Sequence, residues 1–205
     1  MSRFYPIIDL AVFASRGADV AGALAEAGCD LLQVRAKTAT SSELYTFAQA
    51  VCDRAGRDCR VIVNDRLDVA LAVRAAGVHL GEDDLPVEVA RRIAPGGFII
   101  GATARDPRSA RRAAEDGADY IGCGAVFPTG NKSDTRLIGL KGLAEVAAAV
   151  DLPVYAIAGI TLENCVETVR AGAYGAAGIS AIAGEPDPAA CFTRLERALQ
   201  QAVPD

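Results

Sequence analysis

The chain has 205 residues, 51% hydrophobic and 23% charged, with a net charge of −5; this balance excludes a disordered chain and supplies one self-sufficient core. Six cysteines with no C-x-x-C pair are too few for a disulfide scaffold and imply reduced thiols in a cytoplasmic protein. The lack of a basic block argues against nucleic acid as a partner, and the absence of any run of about 18 apolar residues argues against a membrane span.

Met1-Ser2-Arg3 leads, without signal-peptide architecture, into the first predicted strand, Tyr5–Asp9. Leu31–Arg35 is the second, followed by Ser41–Arg54 with apolar residues at helical spacing. The alternation continues with strand Arg60–Asn64 and helix Arg66–Ala76, then Gly77–Leu80 and Pro86–Ala94, then Phe98–Ala102 and Arg108–Glu115. It closes with Tyr120–Gly124 and Leu140–Val150, Val154–Ala158 and Leu162–Ala171, and the strand Ala176–Ser180. The predicted strands are short and mostly too apolar to have a solvated face. A weak internal echo joins helix to strand through glycine: Glu26-Ala27-Gly28-Cys29, Arg74-Ala75-Ala76-Gly77, Glu115-Asp116-Gly117-Ala118 and Arg170-Ala171-Gly172-Ala173. Glycine there supplies the left-handed residue that stops a helix. Strands returning in parallel through helices form right-handed βαβ units. About eight of them predict a single (β/α)8 TIM barrel over residues 1–205, an α/β fold. The competing architecture is an open doubly wound sheet, which usually needs only five or six strands.

In such a barrel the carboxyl ends of the strands share one mouth. After the second strand, Gln33, Arg35 and Lys37 fall on one face, with Leu32, Val34 and Ala36 on the other. Arg35 and Lys37 suit a polyanion such as diphosphate, the plainer alternative being a solvated strand end with a salt bridge. Asn64-Asp65 and Gly81-Glu82-Asp83-Asp84 end the next two strands, so one carboxylate from each can converge on a hard cation such as Mg2+. Each acid also precedes a helix and could simply cap it. After the sixth strand, Phe127-Pro128-Thr129-Gly130-Asn131-Lys132 offers hydroxyl, amide and ammonium donors. After the seventh, Ala158-Gly159-Ile160-Thr161 is expected to place backbone N–H groups at a helix start, and Gly178-Ile179-Ser180 closes the eighth strand. Together these last two loops fit one phosphate group. His79, the single histidine, reads as a hydrogen-bonded packing residue, and the cysteines read as small core or surface residues. No spacing points to a covalent intermediate.

Nearly end to end, these segments resemble the thiamine phosphate synthase (thiamine-phosphate pyrophosphorylase) family. The most specific are Gln33-Val34-Arg35-Ala36-Lys37, the block from Val63-Asn64-Asp65-Arg66 through Gly77-Val78-His79-Leu80-Gly81-Glu82-Asp83-Asp84-Leu85-Pro86, Pro128-Thr129 with Lys132, and Gly159-Ile160-Thr161. The resemblance implies a transferase joining 4-amino-2-methyl-5-(diphosphooxymethyl)pyrimidine to a thiazole phosphate or its carboxylate, releasing diphosphate. It implies that Gln33, Val34, Arg35, Ala36, Lys37, Asn64, Thr103 and Lys132 hold the pyrimidine diphosphate. Arg35, Lys37 and Lys132 would assist catalysis, Asp65 and Asp84 would bind Mg2+, and Thr129, Gly130, Asn131, Gly159, Ile179 and Ser180 would hold the thiazole phosphate. The sequence departs from the family pattern at several positions. Glu82 stands for a frequent glutamine, Thr103 for serine and Arg105 for a frequent histidine. Asn131 stands for threonine, and Ala158-Gly159 for Gly-Gly. The alternatives are a related thiazole tautomerase, which lacks the paired acids and depends on a histidine, and a non-catalytic phosphate-ligand binder or regulator. The partners expected are small molecules, with no nucleic acid and no membrane; the sequence does not read out an oligomeric state.

Overall fold

The computed structural model describes residues 1–128 and 137–203. Strand β1 (Phe4–Asp9) leads into α1 (Leu10–Phe13), a 3-10 turn and α2 (Gly17–Glu26). Then come β2 (Leu31–Arg35), α3 (Ser41–Ala55), β3 (Arg60–Asn64), α4 (Leu67–Ala72), β4 (Gly77–Leu80) and α5 (Val87–Ile93). The second half runs β5 (Ile99–Thr103), α6 (Pro107–Glu115), β6 (Tyr120–Cys123), α7 (Gly139–Ala147), β7 (Val154–Ile157) and α8 (Cys165–Arg170). It ends with β8 (Gly175–Gly178), the short α9 (Ser180–Ala183) and α10 (Pro188–Gln201). Each strand pairs in parallel with the next, and β8 returns to β1 through Phe4 opposite Ala176 and Pro6 opposite Gly178. The barrel is closed, so the open doubly wound sheet is excluded.

Period-two alternation along the strands builds two apolar layers. Phe4, Ile8, Leu32, Val34, Val63, Val78, Ile100 and Ile121 face outward into the layer shared with the helices. Tyr5, Ile7, Leu31, Ile62, Tyr120, Tyr155 and Ala177 fill the barrel interior. Full burial of one large aliphatic side chain stabilises by roughly 1.5–3 kcal/mol. A one-residue slip would exchange the two sets, so the pattern fixes the register. Outside, α3 and α6 open with capping boxes, Thr40 with Glu43 and Asp106 with Ser109, which satisfy the first backbone donors of each helix.

Several predicted boundaries move for identifiable reasons. In the second echo the left-handed residue is Arg74 (φ 54°), so α4 ends well before Ala76 and Gly77 lies inside β4. Gly77 is small for a different reason: a Cβ there would stand 2.2 Å from the Ile99 carbonyl oxygen. The other three echo glycines, Gly28, Gly117 and Gly172, do take φ between 90° and 97°. Helix α8 starts at Cys165 rather than Leu162, because the Asn164 side chain first closes a turn on Thr161 and Gly159. The helices α2 and α10, not singled out by periodicity, bury Val20, Ala21 and Leu24, and Cys191, Phe192, Leu195 and Leu199. All six cysteines are free, and no described helix is long and apolar enough to cross a membrane.

Candidate active site

The carboxyl ends of β1 to β5 bring a dense set of charged and polar groups to one mouth. Gln33 points into the barrel and donates to the Tyr5 hydroxyl at 3.1 Å, and it is nearly fully buried. Arg35, level with Asp9 in the pairing of β1 and β2, forms an ion pair with it. Asp9 had no assigned part in the sequence reading. Buried beneath the mouth, it also caps α1 by accepting from the Ala11 amide, so Arg35 is held by an anchored carboxylate. The only signal for it was a charged residue ending an otherwise apolar strand. Val34 lies in the outer layer, as alternation requires, and Ala36 and Lys37 follow on the loop.

Asn64 ends β3 level with His79 on β4, both partly exposed toward the mouth. Asp65 takes a left-handed backbone (φ 65°), a conformation aspartate tolerates better than most residues. Its amide donates to the His79 carbonyl, and its carboxylate meets the Lys37 ammonium at 3.1 Å. Asp84 folds back to accept from the Gly81 amide at 2.7 Å. Neither acid caps a helix, since the residues preceding α4 and α5 are Arg66 and Pro86, without side-chain caps. Burial raises the Asp84 pKa above the ordinary carboxylate value, and the adjacent Asp65 carboxylate raises it further. Two neighbouring acids, with an ammonium already against one of them, form a place that favours positive charge. Among the described residues no third acid, histidine or cysteine joins them. A two-carboxylate set suits a hard divalent ion that takes its other ligands from phosphate and water.

His79 is hydrogen-bonded through both ring nitrogens, to the Tyr120 hydroxyl at 3.1 Å and the Thr103 hydroxyl at 3.0 Å. Burial pulls its pKa down to about 4, against the weaker upward pull of Asp65. Arg105 and Glu82, two of the departures from the family pattern, pair with each other at the rim. Across the mouth, Gly159 (φ 66°) lies so close to Phe127 and Pro128 that a Cβ would come within 2.6 Å of the Pro128 oxygen. The Thr161 amide is engaged by Asn164 and α8 starts only at Cys165, so this loop does not lie at a helix start as expected. Ile179 lies just beyond β8 and Ser180 opens α9, at the same end of the barrel. Thr129, Gly130, Asn131 and Lys132 lie outside the described residues.

The fold agrees with comparisons to known proteins. A family model described as Thiamine monophosphate synthase matches residues 4–182. The thiamine-phosphate synthase of Haloquadratum walsbyi is 42% identical over 188 residues, spanning 90% of this chain and 84% of that protein. That of Methanocella arvoryzae is 46% identical over 176 residues, spanning 84% and 82%. The solved structure of thiamine phosphate pyrophosphorylase from Pyrococcus furiosus superposes with a TM-score of 0.88 at 37% identity, covering 98% of this chain and 97% of that one. A 3-hexulose-6-phosphate synthase at 18% identity and a TM-score of 0.70 shares the fold alone. The chain therefore belongs to the thiamine monophosphate synthase family, whose members are transferases of the diphosphorylase type.

Proposed function

We propose that this chain joins an aminopyrimidine methyl diphosphate to a thiazole phosphate or its carboxylate, releasing diphosphate, and CO2 as well when the carboxylate is used. The observation that carries the reading is the convergence of opposite charges. Asp65, Asp84 and Lys37 cluster at the same mouth as Arg35, with Thr103 at the end of β5. Acids alone would repel a diphosphate, and bases alone would bind it without needing paired carboxylates. Together they fit a diphosphate that arrives with a divalent cation. Asp65 and Asp84 would hold Mg2+, which when bound supplies charge neutralisation on the leaving diphosphate.

The protein's own groups do the rest. Gln33, Asn64 and Thr103 surround the space for the pyrimidine ring, with the backbone of Val34 and Ala36 completing the strand end. Arg35, held by Asp9, offers a planar two-pronged donor to phosphate oxygens, and Lys37 a point charge beside them. Departure of diphosphate leaves a pyrimidine methyl cation stabilised by the ring amino group, and the thiazole nitrogen attacks that carbon. The thiazole phosphate would sit by Gly159, Ile179 and Ser180, where the last two loops and a short extra helix commonly hold phosphate in this fold. By the family resemblance, Thr129, Gly130 and Asn131 would contact the same thiazole phosphate, and Lys132 would assist departure of the diphosphate. Positioning and charge stabilisation are then sufficient, with no protein nucleophile.

The test is product formation from the two purified substrates, with Mg2+ titrated over wild type and Asp65→Asn. Turnover is expected only with the metal. The asparagine variant is expected to need on the order of tenfold more Mg2+, the effect of about 1.4 kcal/mol of lost binding. Isomerisation of the thiazole without coupling would replace this reading with a tautomerase. Binding of both substrates without product would replace it with a regulator.

A further inference from the structure

Five polar side chains run as a single file through the barrel interior, two of them at positions read here as pyrimidine contacts. Gln33 Nε2 lies 3.1 Å from the Tyr5 hydroxyl, which lies 2.9 Å from the Tyr120 hydroxyl. Tyr120 lies 3.1 Å from His79 Nδ1, and His79 Nε2 lies 3.0 Å from Thr103 Oγ1. We propose that this file is a one-way hydrogen-bond relay that locks His79 in its Nε2–H form and turns the Thr103 hydroxyl proton outward as a donor to a ring nitrogen of the pyrimidine. His79 is then a positioning residue. The pyrimidine end of the claim rests on the placement of Thr103 under the proposed function; the relay itself does not.

The direction follows from counting hydrogens. An amide nitrogen can only donate, so the Tyr5 oxygen accepts from Gln33. The single Tyr5 proton then has one acceptor in the file, the Tyr120 oxygen. Tyr120 in turn passes its proton to Nδ1, which must carry none. A neutral imidazole has one N–H, and with Nδ1 accepting it lies on Nε2 and donates to Thr103. The Thr103 oxygen thereby accepts from behind, and its proton has no acceptor within the file. It faces the mouth, where it offers donation to a ring with a nitrogen at that point. Reversed in part, with Tyr120 donating to Tyr5, the Tyr5 proton would confront an N–H in a buried site, which is costly. As built, every buried side-chain polar atom among the described residues has a partner.

The fold makes room for the file at specific points. A Cβ on Gly101 would stand 2.1 Å from Tyr120 Cζ, and one on Gly122 would stand 2.9 Å from His79 Cε1. Two glycines on adjacent strands thus clear the path of the two central rings. Tyr5, Tyr120 and Tyr155 buttress one another with ring centroids 5.3–5.9 Å apart, so the phenol oxygens have little freedom to leave the line.

Because His79 is the only histidine, 15N-histidine labelling gives one imidazole to read. In the substrate-free protein, long-range 1H–15N correlations are expected to show the proton on Nε2. A proton on Nδ1 overturns the relay, since it means the file runs the other way from a reversed Gln33 amide. Tyr120→Phe keeps the ring and removes the link; it is expected to let the Nδ1–H form appear and to weaken pyrimidine diphosphate binding about tenfold, the scale of one oriented hydrogen bond. If Nε2 stays protonated with the wild-type shift in that variant, Tyr120 does not set the tautomer and the relay fails. Thr103→Val is expected to weaken binding by a similar factor while leaving the tautomer unchanged. Unaltered binding in Thr103→Val, with Nε2–H intact, overturns the placement of Thr103 against the pyrimidine and leaves the relay standing.

Discussion

Ala158 holds a φ of 78° in the loop after β7, beside Gly159 at 66°. A side chain in the left-handed region costs roughly 1–2 kcal/mol, and a glycine there gives back about 0.5–1 kcal/mol of chain entropy. Ala158→Gly is therefore expected to stabilise the protein by about 0.5–1 kcal/mol, read as a higher urea midpoint at unchanged slope. A lower midpoint would mean the loop stores no such strain. At the opposite rim, Glu82 and Arg105 both differ from the family pattern, and the structure pairs them. Glu82→Gln frees the guanidinium beside the space for an anionic substrate. Its KM for the pyrimidine diphosphate is expected to fall roughly two- to fivefold, an advantage that fades with added salt. A KM that rises or ignores salt would show that Arg105 does not act on the substrate's charge.

Among the elements, β5 and β6 show how much of a barrel is hidden from its pattern. The sequence pattern gives Gly101 and Gly122 no evident part. In the structure they are the hollows into which Tyr120 and His79 fit. Gly101→Ala forces a methyl into the Tyr120 ring and is expected to cost about 1–3 kcal/mol. Gly96→Ala, in a turn where an added Cβ meets nothing, should leave stability within about 0.5 kcal/mol and serves as its control. Equal effects would show that Tyr120 yields freely. The strands themselves were legible as short apolar runs alternating with amphipathic stretches; β2, β3 and β4 run over the predicted residues. Arg35, Lys37, Asn64, Asp65 and Asp84 were legible as a group because strand ends share a mouth, whereas Thr103 came only from the family resemblance. Asp9 and the tyrosine file were not, since a buried polar group is defined by the partner it meets across the barrel, and Tyr5 meets Tyr120 across 115 residues of chain.

For the molecule as a whole, the two ends of the barrel have separate duties. The carboxyl end gathers the groups assigned to chemistry, while the amino end is tied by contacts remote from it. There Asp30 accepts from the Ser2 amide at 2.6 Å and the Ser2 hydroxyl at 2.8 Å, and pairs with Arg60 at 2.7 Å. Glu196 on α10 accepts from the Arg3 and Phe4 amides, and the Tyr155 hydroxyl donates to the Ser2 carbonyl. Burial pushes the Asp30 pKa up, but the Ser2 hydrogen bonds, the terminal ammonium and Arg60 outweigh it and hold the value below the usual 3.8. A carboxylate with a depressed folded pKa contributes stability above its unfolded value and loses it as pH falls through the folded one. Asp30→Asn is therefore expected to be less stable than wild type at neutral pH, with the gap closing below about pH 4. Its coupling kinetics are expected to match wild type. A gap that persists into acid would assign the effect to packing instead of charge.

The ring cluster at the barrel's centre also gives the protein an optical gauge of its own integrity. There is no tryptophan, and three of the five tyrosines lie in that cluster, with burial raising the pKa of each. In alkali their conversion to phenolate must wait until water reaches them. The late step in ultraviolet absorbance therefore dates the parting of the staves, with no dye or label added.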